Sequence, residues 1–246
     1  MARAIDADFE LLKDFLNSYT LGQVVTTAQQ LATVKSAHKA FLPFLQLWAI
    51  CLDEATKGSL MHFGRSIGAK DPELSHLREA ISDTGSGFFC CLHGAYKPGH
   101  MALRSSIENF LRFAAGPFDN LALTTTSISG LFDIARATEP FAGGRNVHLN
   151  QLRSTYVALC KFSHSASLAH MEGIHALAHF PTFDEKAFQG WLGMARPCMS
   201  AIATLTVRGH PSLYLDAHYA AKELLDELIP QPERLLLLKG ENSLSA

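Results

Sequence analysis

The sequence predicts an all-α fold, a helical bundle of about seven to nine helices forming a single compact domain over residues 1–246. Three observations predict it. Apolar residues recur at helical offsets along most of the chain, strand-like alternation is scarce, and 48% hydrophobic against 18% charged residues is the balance of a chain with a packed interior. No internal repeat or low-complexity linker divides the chain.

The first helix is expected over 6–17, where Phe9, Leu12, Phe15 and Leu16 share one face and Asp6 and Asp8 suit the positive end. Residues 22–56 read as one or two long helices, with Pro43 dividing them or opening the second half. That half, FLPFLQLWAICLDEA, is apolar on nearly every side and belongs in a core or a subunit contact. Asp71-Pro72-Glu73 starts a helix. The segment around Gly85, Gly87 and FFCCL reads equally as a helix turn or a strand, and Gly94 and Pro98-Gly99 punctuate the chain. Residues 100–115 form the clearest helix, with Leu103, Ile107, Phe110, Leu111 and Ala114 on one face and Gly116-Pro117 as its stop. A helix follows over 121–136 despite the weak run Thr124, Thr125, Thr126, and 136–147 reads as a loop. Residues 149–164 make a second clear helix, continuing after a kink through 165–178. Thr182 and Glu185 have capping-box spacing and open a helix of roughly 20 residues. Another helix spans 212–228 between Pro211 and Pro230, and PERLLLLKG adds a short apolar helix or strand.

Composition excludes several classes. No run approaches the roughly 20 apolar residues that cross a bilayer, and the acidic start lacks a signal-peptide pattern. The expectation is a cytoplasmic protein without membrane attachment. Cys51, Cys90, Cys91, Cys160 and Cys198 contain no CxxC pair and read as mostly buried thiols. Net charge is −2, yet residues 93–170 carry 7 basic against 4 acidic groups, enough for a local anion site but not for a broad nucleic-acid groove. The dinucleotide, P-loop, zincin and α/β-hydrolase motifs are absent, and no cofactor is expected.

Candidate chemistry lies on the two clearest helices. Arg104, Glu108 and Arg112 follow at spacings of four and form one charged line; Asn109 adjoins it. This line reads either as ion pairs joining helices or as a substrate-binding set in which an arginine holds a phosphate that Glu108 or Asn109 helps orient. In LRSTYVALCKFSHSAS, Lys161 and His164 are three apart and face the same way. Histidine moves a proton near neutral pH and a cation steadies a phosphate, which suffices for metal-independent RNA cleavage with the ribose 2′-hydroxyl as nucleophile. Arg153 precedes His164 by eleven positions, about 20° around the axis but roughly 16 Å along it, so meeting at one phosphate requires crossing helices or a two-fold. His164, His170, His175 and His179, with Glu172, form a histidine cluster in which only His175 and His179 share a face; no metal site is expected there. Trp48, Trp191 and Phe41, Phe44, Phe110, Phe113, Phe118 and Phe132 read as packing residues.

ENFLR in helix 100–115, followed at a distance by RSTYVALCKFSH, resembles the HEPN (higher eukaryotes and prokaryotes nucleotide-binding) helical domains over roughly residues 98–175. That resemblance implies a small helical unit, commonly dimeric, of the kind found in anti-phage and toxin–antitoxin systems. It also implies a ribonuclease site formed between two subunits, with His164 as the family histidine and Arg153 as the nearest preceding arginine. The family places four to six residues between the two, and this chain places ten. The expected function is therefore a HEPN-like defence or toxin effector that cleaves RNA through His164 with Arg153 or Lys161, its partners being RNA or a nucleotide, a second copy, or a protein of a defence complex. The alternative is a non-catalytic helical binding or regulatory subunit of such a complex.

Overall fold

Helix α1 covers Ala4–Ser18 and α2 covers Ala28–Lys57 in the computed structural model, which describes residues 4–18, 22–163 and 183–240. A capping box starts α2. Thr27 Oγ1 accepts from the Gln30 amide, the Gln30 side chain accepts from the Thr27 amide, and Gly58 ends the helix at φ 74°. Gly22–Val25 form a 3₁₀ turn before it. Pro43 does not divide the segment: α2 runs through it as one helix of 30 residues. The hydrogen bond lost at the ring is offset by burial of Val34, Ala37, Phe44, Leu47 and Cys51 along a single face. Helix α1 docks on α2 through Asp8 and His38, 2.6 Å apart, and through Asp6 and Lys35.

A two-residue hairpin follows, β1 at Met61–His62 and β2 at Arg65–Ser66, turned by Phe63 and Gly64 at positive φ. Helix α3, Pro72–Leu92, begins where Asp71-Pro72 predicts, although the Asp71 carboxylate accepts from the Gly68 amide and makes no cap bond. The ambiguous FFCCL segment is helical, inside α3. Helix α4 is Tyr96–Ala115, so Pro98 sits in its first turn, where a missing N–H is harmless. Gly87 and Gly99 let α3 and α4 cross closely. A Cβ on Gly87 would stand 3.0 Å from the Gly99 carbonyl and 3.2 Å from Trp191, whose indole N–H donates to that carbonyl at 3.1 Å.

The helix expected over 121–136 is two, α5 at Leu121–Thr124 and α6 at Ile128–Arg136. The threonine run leaves helical geometry at Thr125, and Ser127 caps α6 by accepting from the Gly130 amide. Two 3₁₀ turns fill the expected loop, Glu139–Phe141 and Gly143–Arg145. Helix α7 spans Asn146–Ser163, and the expected continuation over 165–178 lies outside the described residues.

Helix α8, Glu185–Gly209, is capped by Asp184, whose carboxylate accepts from the Ala187 amide at 2.7 Å; Thr182 of the expected capping box lies outside the described residues. The segment 212–228 is interrupted at Asp216–His218, giving α9 at Ser212–Leu215 and α10 at Tyr219–Asp226. Helix α11, Gln231–Leu238, resolves the last apolar segment as helix.

Among the described residues, nine helices have eight residues or more, and the fold is all-α as expected. Helix α8 is the centre. It packs against α2, α4 and α7, and residues 201–210 are buried without interruption. Phe44, Phe110, Phe113, Phe188 and Trp191 fill the interior around it, while Phe41 and Trp48 are half-buried at its edge. The five cysteines are free, Cys90 and Cys91 included, and burial pushes the Cys51 and Cys198 thiols up to about 12. No described helix is long and apolar enough to cross a membrane.

Candidate functional site: the α4–α7 face

The two helices that carry the candidate residues pack against each other. Leu103 and Ile107 of α4 and Leu152 and Leu159 of α7 are all fully buried in the same core. At the edge of this seam the side chains turn polar. Arg104 Nε donates to Tyr156 Oη at 2.7 Å and to Glu108 Oε1 at 3.3 Å, and Tyr156 Oη donates to the same carboxylate oxygen at 2.8 Å. The Arg104 guanidinium also stands 5.1 Å from the centre of the Tyr156 ring. Three polar side chains on two helices thus close a triangle. Burial first, and then the neighbouring Glu108 carboxylate, push the Tyr156 phenol well above the usual tyrosine range, so it stays protonated and keeps donating.

The charged line read from the sequence is split by this packing. Arg104 and Glu108 face α7. Arg112 turns the other way and donates from Nη1 to the Ala122 carbonyl at 2.7 Å and from Nη2 to the Thr125 carbonyl at 2.9 Å, tying down the end of α5. Asn109 faces α3, where its amide donates to Asp83 at 3.1 Å and its carbonyl oxygen lies 2.9 Å from the His76 ring. The structure therefore brings Arg104 and Glu108 together and places Arg112 and Asn109 in contacts with other elements.

On α7, Arg153 is exposed, with its guanidinium 5.9 Å from the Phe132 ring, and Lys161 is exposed two turns further on. The end of α7 docks on the start of α4. Phe162 stacks on His100 at a centroid separation of 3.8 Å, and His100 Nδ1 lies 2.6 Å from the Tyr96 carbonyl, which makes that nitrogen the donor. His164, two positions beyond Phe162, lies outside the described residues, as do His170, Glu172, His175 and His179. Among the described residues no group of three His, Cys, Asp or Glu side chains could hold a metal ion.

Tyr156 is the member of this arrangement that sequence reasoning passed over. Its position on the apolar face of helix 149–164 marks it as packing, and it does bury its ring against Phe132. The signal was the hydroxyl, since a phenol on a buried face needs a partner. Tyr156→Phe is expected to cost about 1–2 kcal/mol, the value of a hydrogen bond to a charged group, in urea denaturation. A loss smaller than about 0.3 kcal/mol would show that the triangle contributes nothing to holding the helices together.

The chain matches no protein-family model, no curated protein and no solved structure.

Proposed function

We propose that this all-helical protein is a HEPN-like effector that cleaves RNA without a metal, acting in the cytoplasm as a homodimer or within a defence or toxin–antitoxin complex. One observation carries the reading. The ENFLR helix and the RSTYVALCKF helix, the two segments on which the resemblance rests, are packed side by side and bridged by Arg104, Glu108 and Tyr156. His164 follows directly on the end of α7, with Lys161 exposed one turn before it and Arg153 exposed further back.

In this proposal His164 takes the proton from a ribose 2′-hydroxyl as its oxygen attacks the adjacent phosphorus. The bond to the 5′-oxygen breaks, and that oxygen takes a proton from water, while His164 returns its own to solvent. The products are a 2′,3′-cyclic phosphate and a 5′-hydroxyl. Lys161 or Arg153, from the same chain or a second copy, offsets the charge on the phosphate oxygens.

The decisive experiment incubates end-labelled total RNA and tRNA with purified wild-type protein and with His164→Ala, chelator present in both. Cleavage by the wild type alone, leaving a cyclic phosphate, is expected. Equal inactivity of two folded samples would favour the second reading, a non-catalytic binding or regulatory subunit. A specific observation supports that alternative: Arg112 and Asn109 are engaged with α5 and α3 in structural contacts.

A further inference from the structure

On the other side of α3, a groove of about 400 Å³ runs between α2 and the first turns of α3. Trp48 and Leu52 of α2, Ala69 of the connecting loop, and Leu74, Ser75 and Arg78 of α3 line it. Its size falls within the roughly 300–1,000 Å³ usual for small-molecule sites. The floor is apolar: Leu74 is buried, Trp48 is half-buried with part of its surface open, and Leu52 is 40% exposed.

One charge serves this groove. Arg78 is the charged residue among those lining it, it is exposed, and it makes no hydrogen bond or ion pair among the described residues. The two carboxylates of the adjoining helix start are directed elsewhere. Asp71 accepts from the Gly68 amide at 2.7 Å, and the Glu73 side chain lies toward Gly116 at the end of α4. The positive end of the 21-residue α3 adds to the same field. An indole face, two leucines, a hydroxyl and an unengaged guanidinium converge on one concavity.

We propose that this groove is a binding site for a small planar aromatic anion, its ring laid on Trp48 between Leu52 and Leu74 and its acidic group held by Arg78 and Ser75. Guanidinium recognises carboxylate, sulfonate and phosphate alike, so an aromatic acid and a nucleoside monophosphate share the required chemistry. The site is independent of the α4–α7 face and of whether that face cleaves RNA.

The test uses 8-anilinonaphthalene-1-sulfonate as probe, followed by its fluorescence on the full chain, with the uncharged N-phenyl-1-naphthylamine beside it. Arg78→Ala, a change at an exposed position, is expected to weaken the sulfonate by about tenfold or more, as for loss of a charge-assisted hydrogen bond, while leaving the neutral probe within about twofold. Trp48→Leu is expected to weaken both. Arg196→Ala, on the outer face of α8, should weaken neither. Displacement of the sulfonate by adenosine monophosphate would identify a nucleotide site, and displacement by 2-naphthoate alone an aromatic-acid site. Unchanged sulfonate affinity in Arg78→Ala, or no displacement by either competitor at millimolar concentration, overturns the proposal.

Discussion

Replacing Gly99 by alanine is expected to destabilise the protein by about 2–3 kcal/mol, the range of an overpacked core. A methyl group there would penetrate the van der Waals envelope of Cys91 Sγ and stand 3.1 Å from the Gly87 carbonyl. Cys91 is fully buried on α3 and has little room to swing away, so the crossing of α3 and α4 must open. Opening it also lengthens the bond from the Trp191 indole to the Gly99 carbonyl, which joins α8 to the same crossing. Urea denaturation of Gly99→Ala beside Cys91→Ala/Gly99→Ala measures this. The double variant should recover part of the loss, because the thiol that the methyl meets is gone, whereas the Gly87 carbonyl remains. Equal stability of wild type and Gly99→Ala would show that the crossing tolerates a side chain.

The second large effect is on acid stability. His62 is 1% exposed among Phe63, Phe113 and Phe118, its Nε2 has no partner, and burial lowers its pKa from 6.5 to about 3 against a hydrogen bond to the Ala114 backbone. Between those values the unfolded chain binds a proton that the folded chain refuses. Stability is therefore unaffected by this ring above pH 6.5 and falls as the pH drops toward 3, by about 1.4 kcal/mol per pH unit. Two units of acid, from 6.5 to 4.5, should remove about 2 kcal/mol through this ring alone, because the unfolded histidine is only half protonated at the upper end. His38 and His210, also lowered by burial, push the same way, so the informative quantity is a difference of slopes. Over that interval His62→Leu is expected to lose much less stability than the wild type. Identical slopes would show that His62 is protonated in the folded protein.

Helices whose ends are marked by chain chemistry were legible in the sequence. Asp71-Pro72, the apolar face from Leu103 to Ala114 and the stop at Gly116 correspond to features of α3 and α4. Segments where tertiary burial overrides local preference were not. Pro43 lies inside α2 because the face around it is buried, and Gly85 and Gly87 stay helical where Phe41 of α2 stands against the first and Gly99 of α4 and Trp191 of α8 against the second. Of the candidate site, the i,i+4 pairing of Arg104 with Glu108 could be read from spacing alone. The diversion of Arg112 to the end of α5 could not, since it depends on the break at Thr125, which bends the chain back under the guanidinium. Tyr156 was visible only as one more apolar position, because periodicity does not separate a ring that merely fills space from one whose hydroxyl crosses to the next helix.

The uninterrupted burial of the second half of α8 bears on the order in which the molecule assembles. Trp191 contacts Phe88 and Gly99, roughly a hundred positions earlier, and α2, α3, α4 and α7 all emerge from the ribosome before the helix that joins them. Until residue 209 is free of the exit tunnel, α3 can pack on α4 and α4 on α7, but the helix on which α2, α4 and α7 all meet is missing. The interior must therefore close late and over long loops, which slows folding and leaves Phe44, Phe110 and Phe113 open to chaperones during synthesis.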